Sequence, residues 1–348
     1  MTGQRRHRAW QGALLPALAA GVALALVTLM APAPLRDLGN LVFDGYQRVA
    51  PRPADPARPV RVVAIDDESL ARIGQWPWPR ETLARLVEAI GADGPRAIGL
   101  DILLSEPERA GPAGDAALAA ALARTAVAGG IVLADTPAAP PVRAGFATAG
   151  DDPLQHLPRF AGAIAPMPAL MPGFSGLGAL NWLPESDLVA RRVPALLAAG
   201  NRLVPGLAVE TLRLATGSGT ILVRSANASG ETGFGTSTGL VSVKIGPHVV
   251  PTEADGAIRI RFGHPAPGRS ISAWRVLSGE ANGAFAGRIV LVGASAAALA
   301  DVRATPLAAG VPGVEVHAAL IEHMLADARL ARPDWARGAE ALATLAAA

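Results

Sequence analysis

The chain has 348 residues, 51% of them apolar, enough to bury the core of one large domain or two small ones. Its formal net charge is only +2, its basic residues are scattered arginines and a single lysine, Lys244, and no basic stripe with interleaved aromatics marks a nucleic-acid surface. It has no cysteine, which excludes disulfides, thiol catalysis and cysteine-ligated zinc or iron–sulfur centres.

Residues 1–11 form a basic tail containing Arg5, Arg6 and Arg8. Residues 12–31 carry no charge. Their length matches the roughly 20 apolar residues of a bilayer-spanning helix. The upstream arginines predict a cytoplasmic N-terminus and export of everything beyond. A cleaved signal peptide, cut near Ala31-Pro32-Ala33, is the rival reading and also exports the main domain. Residues 32–59 read as a linker, Pro-rich over Arg52–Pro59.

The main domain is expected over 60–328. Short apolar runs that end in Asp or Gly follow the linker: Val60–Asp66, Ala97–Asp101, Ile131–Asp135 and, late in the chain, Arg288–Gly293. Runs of this kind suit strands buried on both faces. Between them, Leu83, Leu86, Val87 and Ile90 repeat at helical spacing over Arg80–Gly91, and Asp115 is placed to cap a helix reaching Thr125. The alternation predicts parallel βαβ units.

Residues 137–200 are rich in Pro and Gly and read as loops with short strands. Pro205–Ala215 reads as a helix and Thr216–Gly239 as a Gly/Ser/Thr-rich insertion. Residues 241–245 and 257–262 alternate with period two and are expected to pair antiparallel through the Asp255-Gly256 turn. Val314–Leu325 closes the domain as a helix. Residues 329–348 then read as a hinge with an interfacial Trp335, followed by the start of a second membrane helix. The fold class is therefore α/β: an N-terminal transmembrane helix, then a mixed, largely parallel sheet with flanking helices and an antiparallel β insertion.

In open parallel sheets, ligands bind outside the carboxyl ends of the strands. Asp66, Asp67, Asp101 and Ser295 are predicted at that edge, with Asp301 and His317 following closely in the chain. Each acid also has a bland role, as a helix cap or a partner of loop amides. The pentapeptide Trp76-Pro77-Trp78-Pro79-Arg80 holds two indoles stiffly before a helix. Trp76, Trp78 and Arg80 could grip a planar or anionic ligand, or form a rigid lid over the sheet edge. Gly293-x-Ser295-x-Ala297 resembles a nucleophile elbow, and Asp301, Glu315 and His317 follow in the order of a hydrolase triad. Ala297 replaces the second glycine, and no oxyanion-loop motif accompanies it, so catalysis is not expected. His317 and His323 are six apart and do not share a helix face as a metal pair would. No P-loop or dinucleotide fingerprint is present, and no cofactor or metal is expected.

Several segments together resemble the CHASE type 2 sensor domains, the second class of cyclase/histidine-kinase-associated sensing extracellular domains. They are Phe43-Asp44, Val63–Leu70 (VAIDDESL), Trp76–Arg80 (WPWPR), Gly99–Pro107 (GLDILLSEP), Ile289–Ser295 (IVLVGAS), Asp301–Leu307 (DVRATPL) and Pro312–Ala318 (PGVEVHA). The resemblance runs over residues 40–325. It implies a non-catalytic input domain of a bacterial receptor, with a membrane helix before it. Further helices would lead to a cytoplasmic cyclase, histidine kinase, Ser/Thr kinase or diguanylate cyclase. Residues 271–277 and 225–232 are most similar to versions found on adenylate/guanylate cyclases. The implied setting is the inner membrane, with the main domain periplasmic or extracellular. The implied partners are the lipid bilayer, an extracytoplasmic ligand or protein, and a second copy in a homodimeric receptor. The competing classes are an exported serine hydrolase using Ser295 and a membrane-tethered protein-interaction module.

Overall fold

A computed structural model describes residues 19–27, 33–55, 57, 59–228, 239–299, 301–328, 330 and 336–347. Seven strands form the central sheet: β1 (Val60–Ile65), β2 (Ala97–Asp101), β3 (Val127–Ala134), β4 (Gly162–Ile164), β5 (Gly176–Ala179), β6 (Ser270–Ser272) and β7 (Ile289–Ala294). Their spatial order is β6-β1-β7-β2-β3, and both β5 and β4 pair with β3. All pairings are parallel except β3 with β4. The late strand β7 lies between β1 and β2, so it brings the end of the chain into the middle of the sheet.

The helices are α1 (Ala33–Val49), α2 (Asp67–Ile73), α3 (Arg80–Ala92), α4 (Pro112–Leu122), α5 (Leu207–Ala215), α6 (Ala273–Leu277), α7 (Gly313–Leu325) and α8 (Ala336–Ala347). Strand periodicity sends alternate side chains of β1 to opposite faces. Val63 and Ile65 pack with Leu86, Ile90, Leu118 and Val276 on one side. Val60 and Val62 pack with Val209, Leu212, Val316 and Leu320 on the other. Each such fully buried aliphatic side chain contributes about 1.5–3 kcal/mol. The sheet is thus covered by α3, α4 and α6 on one face and by α5 and α7 on the other.

A second sheet joins Gly145–Ala149, Thr220–Ser225, Leu240–Ile245 and His248–Pro251. Its apolar side, including Ile221, Val223, Val243 and Ile245, meets the core on the α5 and α7 side.

Three local expectations change. Residues 240–245 pair with 248–251, while 257–259 pair with 192–194. The Asp255-Gly256 turn does form, with Gly256 N–H donating to the Glu253 carbonyl. The tighter reversal at Gly246, whose φ is +55°, makes the hairpin instead. Asp115 lies inside α4 rather than capping it, because Pro112 occupies the first turn. The segment read as a linker contains α1, whose Pro34 sits in the first turn, where its missing N–H removes no helical bond.

Residues 19–27 are helical, with Val22, Leu24, Leu26 and Val27 exposed. The remainder of the 12–31 span, the basic tail, the 229–238 part of the insertion and Trp335 lie outside the described residues. Among the described residues, no helix is long and apolar enough to cross a membrane.

Candidate functional site

Sheet register brings the carboxyl ends of three strands together. Gly293 of β7 is opposite Ala64 of β1 on one side and Asp101 of β2 on the other. Asp66, Asp101 and Ser295 therefore emerge along one edge. Their environments there differ sharply.

Asp66 caps α2. Its Oδ1 accepts from Ser69 N at 2.8 Å, Ser69 Oγ at 2.6 Å and Ser272 Oγ at 2.7 Å. Those bonds tie β1, α2 and β6 together, so the cap accounts for this carboxylate. Asp67 is exposed in the first turn of the same helix.

The WPWPR segment also turns its side chains largely to packing. Trp78 is buried in the core, and its Nε1 donates to the Gly74 carbonyl at 2.8 Å. Trp76 meets it edge-on at 5.5 Å between ring centroids. The Arg80 guanidinium lies 3.5 Å from Asp115 and donates to the Glu106 carbonyl at 2.9 Å. Arg80 thus reaches the loop after β2 at Glu106, and its guanidinium pairs with Asp115 of α4. Separately, the Arg80 main-chain N–H donates to Glu108 Oε2 at 2.5 Å, and this bond, with the amides of Ala110 and Arg109, holds the Glu108 carboxyl below the usual range.

Asp101 has a different neighbourhood, built by the end of the chain. Burial pushes its carboxyl up to about 7; repulsion from Asp301 adds to the rise and Arg303 opposes it. Asp301 pairs with Arg303 at 2.9 Å. Its backbone carbonyl accepts from Gly313 N–H, also at 2.9 Å. A side chain at Gly313 would fall on the Asp301 carboxylate, so glycine at the start of α7 permits this close approach.

The Arg303 guanidinium lies 5.4 Å from the Trp182 ring centroid, and that indole packs at 5.2 Å on the imidazole of His317. His317 is 2% exposed, and neither ring nitrogen has a hydrogen-bond partner. Burial pushes its pKa down to about 4, and the Arg303 charge adds to the fall.

The predicted residues Asp101 and Asp301 therefore meet through charge, and Arg303 and Trp182 link them to the predicted His317. Arg303 and Trp182 were not among the sequence candidates. Arg303 sits within the DVRATPL segment. Trp182 lies in the irregular 137–200 stretch, where no periodicity singles it out. A part-buried carboxyl pushed up to about 7 beside a second acid and one arginine can hold either of two charge states near neutral pH. A ligand that prefers one of them can shift the balance.

The elbow residue Ser295 is held by its backbone N–H, which donates to the Ile65 carbonyl at 3.0 Å. With both His317 nitrogens unpartnered, no Ser–His hydrogen bond forms. Glu315, the other triad candidate, pairs with Arg269. Among the described residues, no three His, Asp or Glu side chains group as a metal ion would need.

The segment that carries Trp182 continues to a buried arginine. Arg191 is 1% exposed on its side chain and binds Asp44 of α1, Glu185 and Asp187 at 2.6–2.9 Å. Next to it, Ala190 N–H donates to the Ala304 carbonyl at 2.7 Å, and Arg48 of α1 donates to the Pro306 carbonyl at 3.0 Å. The 303–306 loop thus touches both α1 and the Trp182–Arg191 segment.

No curated protein and no solved structure matches the chain. The model of the CHASE2 domain family matches residues 19–348, nearly the whole length. The chain belongs to the CHASE2 family, the extracellular sensory domains of signalling receptors.

Proposed function

We propose that this chain is the extracytoplasmic input domain of a bacterial transmembrane receptor, anchored in the inner membrane by residues 12–31. Its input site is the Asp101, Asp301, Arg303, Trp182 and His317 cluster, and its output leaves through α1. The observation that carries the reading is the buried Asp44–Arg191 pair. It fastens the helix nearest the uncharged N-terminal segment to the polypeptide that holds Trp182. A change at Arg303 thereby has a short, packed route to the membrane-proximal helix.

The membrane assignment is supported by the absence of charge over 12–31, by Arg5, Arg6 and Arg8 before it, and by apolar exposure at residues 22–27. Residues 338–348 extend the same reading to a second span, leading toward a cyclase or kinase module. The input domain performs no chemistry of its own. A ligand or partner protein that binds one charge state of the cluster better than the other supplies the signal.

The test compares output with stability. Asp101→Asn and Arg303→Gln are placed in the intact receptor, and cyclase or kinase output is measured beside thermal melting. The expected result is a stimulus response shifted by tenfold or more, with melting moved by only a few degrees. Unchanged output in both variants would remove this cluster as the input site.

A further inference from the structure

The outer face of α1 is apolar and exposed. Leu35, Leu38, Val42 and Val49 are each 40–85% exposed, and Leu41 and Tyr46 flank them. Positions 35, 38, 42, 45 and 49 follow alternating steps of three and four, the spacing of a coiled-coil seam. At the remaining seam position, Gly45, an added side chain would meet nothing within 4 Å. The opposite face is occupied by the chain's own domain. Asn40 donates to Glu185, Asp44 binds Arg191, and Gln47 bonds the backbone of Ile260 and Phe262.

We infer that α1 pairs with α1 of a second copy in a parallel homodimer, with Leu35, Leu38, Val42, Gly45 and Val49 at the seam. This rests on the membrane-anchored reading, which fixes both copies in one bilayer with the same direction. A second copy fits better than a lipid surface. The helix carries two arginines, Arg36 and Arg48, and two aspartates, Asp37 and Asp44. It therefore offers no cationic face to anionic headgroups. Two heptads are marginal on their own. Tethering in the membrane raises the local concentration enough to make a short seam effective. The pair Asp44–Arg191 then joins each input site to the dimer seam from its outer side.

The chain has no cysteine, so single cysteines report cleanly. Leu35, Leu38, Val42 and Val49 are replaced one at a time, with Asn40 and Phe43 as domain-facing controls. Each full-length variant is oxidised in native membranes and run without reductant. The seam positions are expected to give dimer bands at least fivefold stronger than the controls. Val42→Glu, added to the Val49 cysteine, should reduce its band about tenfold. Equal cross-linking at all positions, or none at the seam positions, would overturn the inference. A membrane-impermeant maleimide applied to intact cells reads export separately. If it fails to label an Ala54→Cys variant, exposed and beyond the seam, until lysis, the exported reading fails, while the cross-linking pattern still judges the seam.

Discussion

Arg191 holds Asp44 from two sides: Nε donates to Oδ1 at 2.8 Å and Nη2 to Oδ2 at 2.9 Å. The two residues are 147 apart in the chain and both buried. Desolvation would lower the arginine's pKa, but bonds to Asp44, Asp187 and Glu185 raise it overall. A buried, bidentate pair of this kind holds one geometry; loss of Arg191 would strand the Asp44 charge, while loss of Asp44 leaves Arg191 its bonds to Glu185 and Asp187.

Asp44→Asn should therefore lower stability by about 2 kcal/mol, the range for losing charge-assisted hydrogen bonds while Arg191 keeps Glu185 and Asp187. Chemical denaturation checks the size. Limited proteolysis checks the location, since α1 should become the first site cut. A variant as stable as the parent, with α1 still protected, would show that the pair does not fasten the helix.

Asp101→Asn should change the pH dependence of stability. The folded pKa, about 7, lies above the ordinary carboxyl value of about 3.9. The native state thus retains a proton that the unfolded chain releases. This contribution is fully present below about pH 4 and is lost as pH rises through about 7. Asparagine removes the loss. The variant should gain on the parent as pH rises, by on the order of 4 kcal/mol at pH 8. Melting curves from pH 4 to 8 measure it. A constant difference across the range would contradict the assignment.

His317→Leu should act in the opposite direction. The folded pKa, about 4, lies below the ordinary histidine value of about 6.5. The contribution of the neutral ring is present above about 6.5 and is lost as pH falls through about 4. Leucine takes up no proton, so the variant should gain on the parent in acid, by on the order of 2 kcal/mol at pH 4. His323, also pushed down to about 4 by burial, with Arg52 and Arg261 adding to the fall, keeps part of the parent's acid sensitivity in the variant. An unchanged difference between pH 7 and pH 4 would contradict the reading of His317.

The elements that the sequence made legible are those with a local signature. The apolar runs at 60–65, 97–101 and 289–294 became β1, β2 and β7, and the helical spacing at 83–90 became α3. Parallel pairing then put Asp101 at the expected edge. What remained hidden depends on distant partners. Arg191 looks like any other arginine until Asp44 and Glu185 surround it. Trp182 sits in a Pro/Gly-rich stretch, and its meaning comes from Arg303 and His317, far along the chain. The alternation at 257–259 correctly marked a strand but could not name its partner, because period-two patterning specifies a face rather than a neighbour.

Amide hydrogen exchange of the full chain in lipid nanodiscs, comparing Arg303→Gln with the parent, tests most directly whether the sheet-edge cluster speaks to α1. Altered exchange is expected at 40–47 of α1 and at 182–191, with β1, β2 and β7 equally protected in both. Exchange that changes only around residues 301–312, leaving α1 as in the parent, would contradict that link.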